Sequence, residues 1–62
     1  MDFITFKRIA KEGFTYKQAV AKRLIISYNE TDGGKASWIN VEGSPAIKVT
    51  ETFEHITKKM NS

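Results

Sequence analysis

Ala36-Ser37-Trp38-Ile39-Asn40-Val41, then Glu42-Gly43-Ser44-Pro45-Ala46, then Ile47-Lys48-Val49-Thr50 and Glu51 to Met60 form the stretch that decides the fold. In its first part Ile39 and Val41 alternate with polar neighbours, and after the Gly-Ser-Pro turn Ile47 and Val49 flank Lys48. Period two means a strand with one buried face. From Thr50 the period changes, because Phe53, Ile56 and Met60 stand three and four apart and fall on one side of a helix. The reading is strand, turn, strand, then an amphipathic helix able to close over the sheet. Thr50 or Glu51 is the expected cap, with Glu51 and Glu54 in the positive first turn and Lys58 and Lys59 at the negative end.

Upstream, Phe3, Ile4, Thr5, Phe6 and Ile9 favour a first strand. Lys11-Glu12-Gly13 supplies a turn with Gly13 free to take positive φ, and Phe14-Thr15-Tyr16 returns antiparallel, pairing aromatics across the hairpin. Lys17 to Arg23 consists largely of helix formers and reads either as a short helical turn or as an irregular crossing. Leu24 to Tyr28 is strand-like and ends at the polar turn Asn29 to Gly34. The expected fold is one α+β domain over residues 1–62, an antiparallel meander of four or five strands with one C-terminal helix, fraying at Met1 and at Asn61-Ser62.

This order of elements resembles the small bacterial flagellar proteins of the FlbD and SwrD type. The similarity is strongest over residues 38–56, where Ile39-Asn40-Val41-Glu42-Gly43 and Ile47-Lys48-Val49-Thr50-Glu51-Thr52-Phe53-Glu54-His55-Ile56 give strand, glycine turn, strand ending in Val, acidic helix start and apolar helix face. It is weaker from Ile4 through Gly13-Phe14 to Ile26. The chain departs from the family in its longer Asn29 to Gly34 loop, in Pro45, and in lacking a Leu-Asn-Gly first turn. The resemblance implies a β-meander closed by a helix, and it supplies no catalytic residue.

At 62 residues, folding buries only about 60% of the surface of the unfolded chain. With no cysteine, neither a disulfide nor a thiolate metal site staples the fold, which favours close packing or a homo-oligomer formed through an edge strand or the exposed sheet face. Asp2, Lys7 and Arg8 interrupt any signal-like segment and no apolar run can span a bilayer, so a cytoplasmic protein without membrane contact is expected.

Ten basic against seven acidic residues give a net charge of +3. The bases gather early, and Lys7, Arg8, Lys17, Lys22 and Arg23 are the candidate nucleic-acid contacts, with Phe6, Phe14 and Tyr16 interspersed as stacking groups. In so short a chain burial better explains both phenylalanines. Trp38 lies opposite Ile39 and Val41 on a regular strand, so it is either an exposed hot spot beside Lys48 or core beneath the helix. Trp38, Tyr28 and Lys48 are the candidate protein-interface residues.

No set of residues suggests catalysis, a metal or a cofactor. His55 is the only histidine and fits a helix surface. Asn29, Glu30 and Asp32 beside two glycines lack the bidentate Glu of a calcium loop, and Gly33-Gly34-Lys35 is too short for a phosphate loop. Val20 to Ser27 is similar to the first half of a helix-turn-helix, but Gly33 and Gly34 would interrupt the recognition helix that should follow. The expected function is that of a small non-enzymatic protein-binding or regulatory adaptor, of the kind phages and other mobile elements encode. The alternatives are a nucleic-acid module using a basic sheet face and an oligomeric small-molecule binder.

Overall fold

The computed structural model describes residues 2–62, and Met1 lies outside them. Strands β1 (Phe3–Ile9), β2 (Thr15–Ala21), β3 (Ile25–Thr31), β4 (Ala36–Val41) and β5 (Ile47–Val49) precede helix α1 (Phe53–Met60). They form one antiparallel sheet in the order β2-β1-β5-β4-β3. This is the α+β meander with one C-terminal helix that the alternation predicts, with the β1–β2 hairpin docked beside β5.

The register does not permit a flat sheet. Arg8 pairs with Val49 and Val49 with Ser37, so Phe3 and its partner Ala21 lie five steps to one side of that row, while Val41 and its partner Ile25 lie four steps to the other. Laid flat, Ala21 and Ile25 would be about 30 Å apart along the strands and about 19 Å apart across them. Only Lys22–Leu24, a 3-10 turn, joins them, and a fully extended chain of that length reaches about 14 Å. The sheet must therefore curl with a staggered register, the geometry of a partly open barrel. β3 starts where β2 stops, and no ladder joins the two edge strands.

Inside the curl lie Ile4, Phe6, Val20, Ile39, Ile47 and Val49, closed by Ile56 of α1, with Ile25, Tyr28, Val41 and Met60 packed around them. The helix is capped by Thr52, not by Thr50 or Glu51: the Thr52 hydroxyl accepts from the His55 amide. Glu51 acts elsewhere. β5 stops at Val49, so the next groups on that edge of β1 lack a strand partner. The Glu51 carboxylate accepts from the Lys7 amide at 3.2 and 3.3 Å, and Lys59 Nζ donates to the Thr5 carbonyl and meets Glu51 at 3.4 Å. An ion pair thus extends the ladder and ties the helix to β1.

Three expectations are corrected. Lys17 to Ala21 belongs to β2, and only Lys22–Leu24 turns; pairing of Val20 with Ile4 and Gln18 with Phe6 overrides local helix propensity. Phe6 is fully buried but Phe14 is 68% exposed, because it sits in the turn closed by Gly13 (φ 89°), beyond the strand. Tyr16 consequently faces Arg8 and not an aromatic. Beyond α1 the Ser62 hydroxyl donates to the Lys58 carbonyl and Lys22 Nζ donates to the Ser62 carbonyl oxygen.

Ser37 is the one buried polar residue of the interior among those described, and its hydroxyl donates to the Glu51 carbonyl at 2.9 Å. Ser37→Ala should cost about 1–2 kcal/mol by leaving that carbonyl unpaired, and Tyr28→Phe about 1 kcal/mol through the lost 2.8 Å bond to the Thr57 hydroxyl. Urea unfolding with an unchanged m-value is the measurement, and neutral behaviour at both sites would contradict this account of how the helix is fastened.

Candidate functional site

The helix takes one face of the sheet, so the opposite face is free for other use. Across that outer face run Asn29, Trp38 and Lys48 in register, continued by Ile9 and Thr15 on the other half of the sheet. Trp38 is 37% exposed, which resolves the choice left by the sequence: it lies outside the core, beside Lys48. Lys48 Nζ stands 6.0 Å from the centre of the indole ring and 2.8 Å from the Asp32 carboxylate. Asp32 reaches that position from a tight turn, Asp32–Gly34, in which three successive residues hold positive φ. The two glycines are what make this turn accessible.

Trp38 and Lys48 form one wall of an open groove of about 560 Å3, which also includes Arg8, Ile9, Lys11, Gly13 and Ala46. One step further along the same outer face, Lys7 and Lys17 lie directly opposite each other on β1 and β2. Like charges so placed are destabilising. Among the described residues neither lysine is in an ion pair, since the pairs present are Lys48–Asp32 and Lys59–Glu51. The face therefore combines a half-exposed indole, the apolar side chains of Ile9 and Ala46, and an excess of positive charge.

The other candidates are distributed differently. Arg8 donates to the Gln18 side chain at 2.9 Å and lies 5.9 Å from the Tyr16 ring, so it is partly engaged within the hairpin. Lys22 and Arg23 sit in the 3-10 turn at the far end of β2, away from Lys7 and Lys17. The five bases do not form one patch. Tyr28 points inward, its hydroxyl bonded to Thr57 and its ring 5.0 Å from Phe53, and it fastens the helix. His55 is exposed on α1. Among the described residues no group of three His, Asp or Glu could hold a metal ion, and no helix is long and apolar enough to cross a membrane.

Lys11, Ile9 and Ala46 are the groove residues that the sequence alone did not single out. Their assembly depends on β1 pairing with β5, and the alternation of Ile9 with Arg8 was the only local trace of it. No family model, no curated protein and no solved structure matches the chain.

Because Trp38 lies outside the core, Trp38→Ala should cost no more than about 1.5 kcal/mol, whereas Ile39→Ala, at a fully buried neighbour, should cost about 2–5 kcal/mol and leave little folded protein. Thermal unfolding followed by circular dichroism separates the two, and equal losses would place Trp38 in the core.

Proposed function

We propose that the chain is a non-enzymatic binding module that holds an acidic segment of a protein partner in the groove walled by Trp38 and Lys48. The observation that carries this reading is the outer face itself, where a half-exposed indole lies beside Lys48 in a groove also lined by Lys11, where Lys7 and Lys17 stand further along the same face, and where only Asp32 offsets these cations by direct pairing. Tryptophan supplies rigid contact area and the cations supply steering and register. The Lys7–Lys17 juxtaposition costs stability and has no role in the fold, which is understandable if both lysines face an anionic partner. Two carboxylates that could have served chemistry serve structure instead, Glu51 on the β1 edge and Asp32 on Lys48. The likeness of residues 38–56 to small flagellar proteins concerns architecture and names no partner.

A second reading places single-stranded nucleic acid on the same face, favoured by the aromatic and basic pair that Trp38 makes with Lys48. Trp38 is the chain's only tryptophan, so its emission reports either ligand directly. Titration with a glutamate-rich peptide should shift the emission to shorter wavelength as the indole is covered. In the Lys7→Glu/Lys17→Glu variant, affinity for that peptide should fall at least tenfold while the circular dichroism spectrum is retained. An oligothymidylate that binds more tightly than the peptide, with an affinity falling steeply as salt rises, would favour the second reading. No emission change with either ligand would overturn both.

A further inference from the structure

β2 is an edge strand, and the register shows which of its backbone groups are unused. The Ala10 amide donates to the Phe14 carbonyl and the Lys22 amide to the Asp2 carbonyl. These bonds continue the ladder rows Ile4 with Val20, Phe6 with Gln18 and Arg8 with Tyr16. In an antiparallel pair the rows that exchange hydrogen bonds alternate with rows that do not. The even-numbered residues of β2 therefore bond to β1, and Thr15, Lys17 and Ala19 direct their N–H and C=O groups away from the sheet.

The two edges of the sheet differ in protection. β3 carries a bulge between Ile25 and Ser27, with Ile26 displaced outward, and α1 leans on it through Tyr28. Bulges and covering elements are the usual means of preventing edge-to-edge pairing. β2 has neither. It runs seven residues without proline or irregularity, and Thr15 to Lys17 and Ala19 are exposed.

We infer that the β2 edge pairs with β2 of a second copy of this chain, antiparallel and about a two-fold axis through Gln18. In that register Lys17 falls opposite Ala19 of the second copy, Thr15 opposite Ala21 and Tyr16 opposite Val20. No like charges face each other, and the two central rows alone contribute about four backbone hydrogen bonds. Centring on Lys17 would set two lysines face to face. The space beside the strand agrees with the register. A groove of about 370 Å3 lies along Gln18 to Ala21, with Leu24, Val41 and Ile47 among its apolar walls. Tyr16 of the incoming strand, itself exposed in the single chain, lies alongside this groove when placed opposite Val20. The result is a continuous sheet of two curled halves, with the outer face and its cations continued across the junction.

The register is tested by charge at Ala19, an exposed outer-face position. Sedimentation equilibrium at low salt should show a species of twice the 7.0 kDa chain mass. Ala19→Glu sets a carboxylate against Lys17 of the other copy twice over, and should tighten the dimer roughly tenfold. Ala19→Lys should weaken it by a similar factor. Lys17→Pro removes an N–H that the fold does not use, and should abolish dimerisation while the monomer keeps its circular dichroism spectrum. A purely monomeric wild-type chain at millimolar concentration would overturn the inference. So would a dimer indifferent to both Ala19 substitutions, which would place the contact elsewhere. The inference is independent of the acidic partner proposed for the Trp38 groove, because the mass of the apo chain does not depend on ligand.

Discussion

Everything in this fold answers to the three residues between Ala21 and Ile25. They connect the two outermost strands of a five-stranded sheet, and the register sets those strand ends further apart than the connection can reach unless the sheet rolls up. Rolling creates an interior that a single short helix can close, and Ile56 closes it. It explains how a chain with no disulfide and only seven fully engaged apolar residues at its centre can exclude water. It also divides the labour between the faces. The inner surface is consumed by packing, whereas the outer surface carries the Lys48–Asp32 pair and a half-exposed Trp38.

That division accounts for the chemistry of the outer face. A tryptophan, a cross-strand pair of lysines and a third lysine over the indole would be poor choices for a surface whose only task is to be wet. They suit the anionic partner we propose for this face. The helix side shows the opposite economy, with the Glu51 and Lys59 charges both directed at backbone groups of β1.

Local pattern carried the strands from Ala36 to Val49 and the amphipathic character of Phe53 to Met60, because alternation and helical spacing are properties of neighbouring residues. It also placed Trp38 beside Lys48, since that pair lies within one meander. Lys17 to Ala21 was obscured because its helix-forming composition competes with a pairing partner some fifteen residues away, and the partner prevailed. Phe14 and Phe6 look alike in sequence and differ only in whether the chain is still within the strand. The groove around Trp38 was the least legible element: Lys11 and Ile9 join Ala46 and Lys48 only through the pairing of Arg8 with Val49, of which the alternation of Ile9 with Arg8 is the one local trace. Glu51 was read as a helix residue because its role depends on β5 ending early.

The same long pairing governs when the molecule can form. β1 lies between β2 and β5, and its bonds to Glu51 and Lys59 come from residues more than forty positions later. The β1–β2 hairpin made first during synthesis presents Ile4, Phe6 and Val20 on its inner face beside Arg8 and Gln18, and an isolated two-stranded hairpin is marginal in water. Its cover comes from Ile47, Val49 and Ile56, all of them in the last third of the chain. The ties of β1 to β5, Glu51 and Lys59 are distant contacts, of the kind associated with slow acquisition of structure. Until then the β2 edge and its neighbour Tyr16 are exposed together, the kind of strand edge through which incompletely folded chains associate.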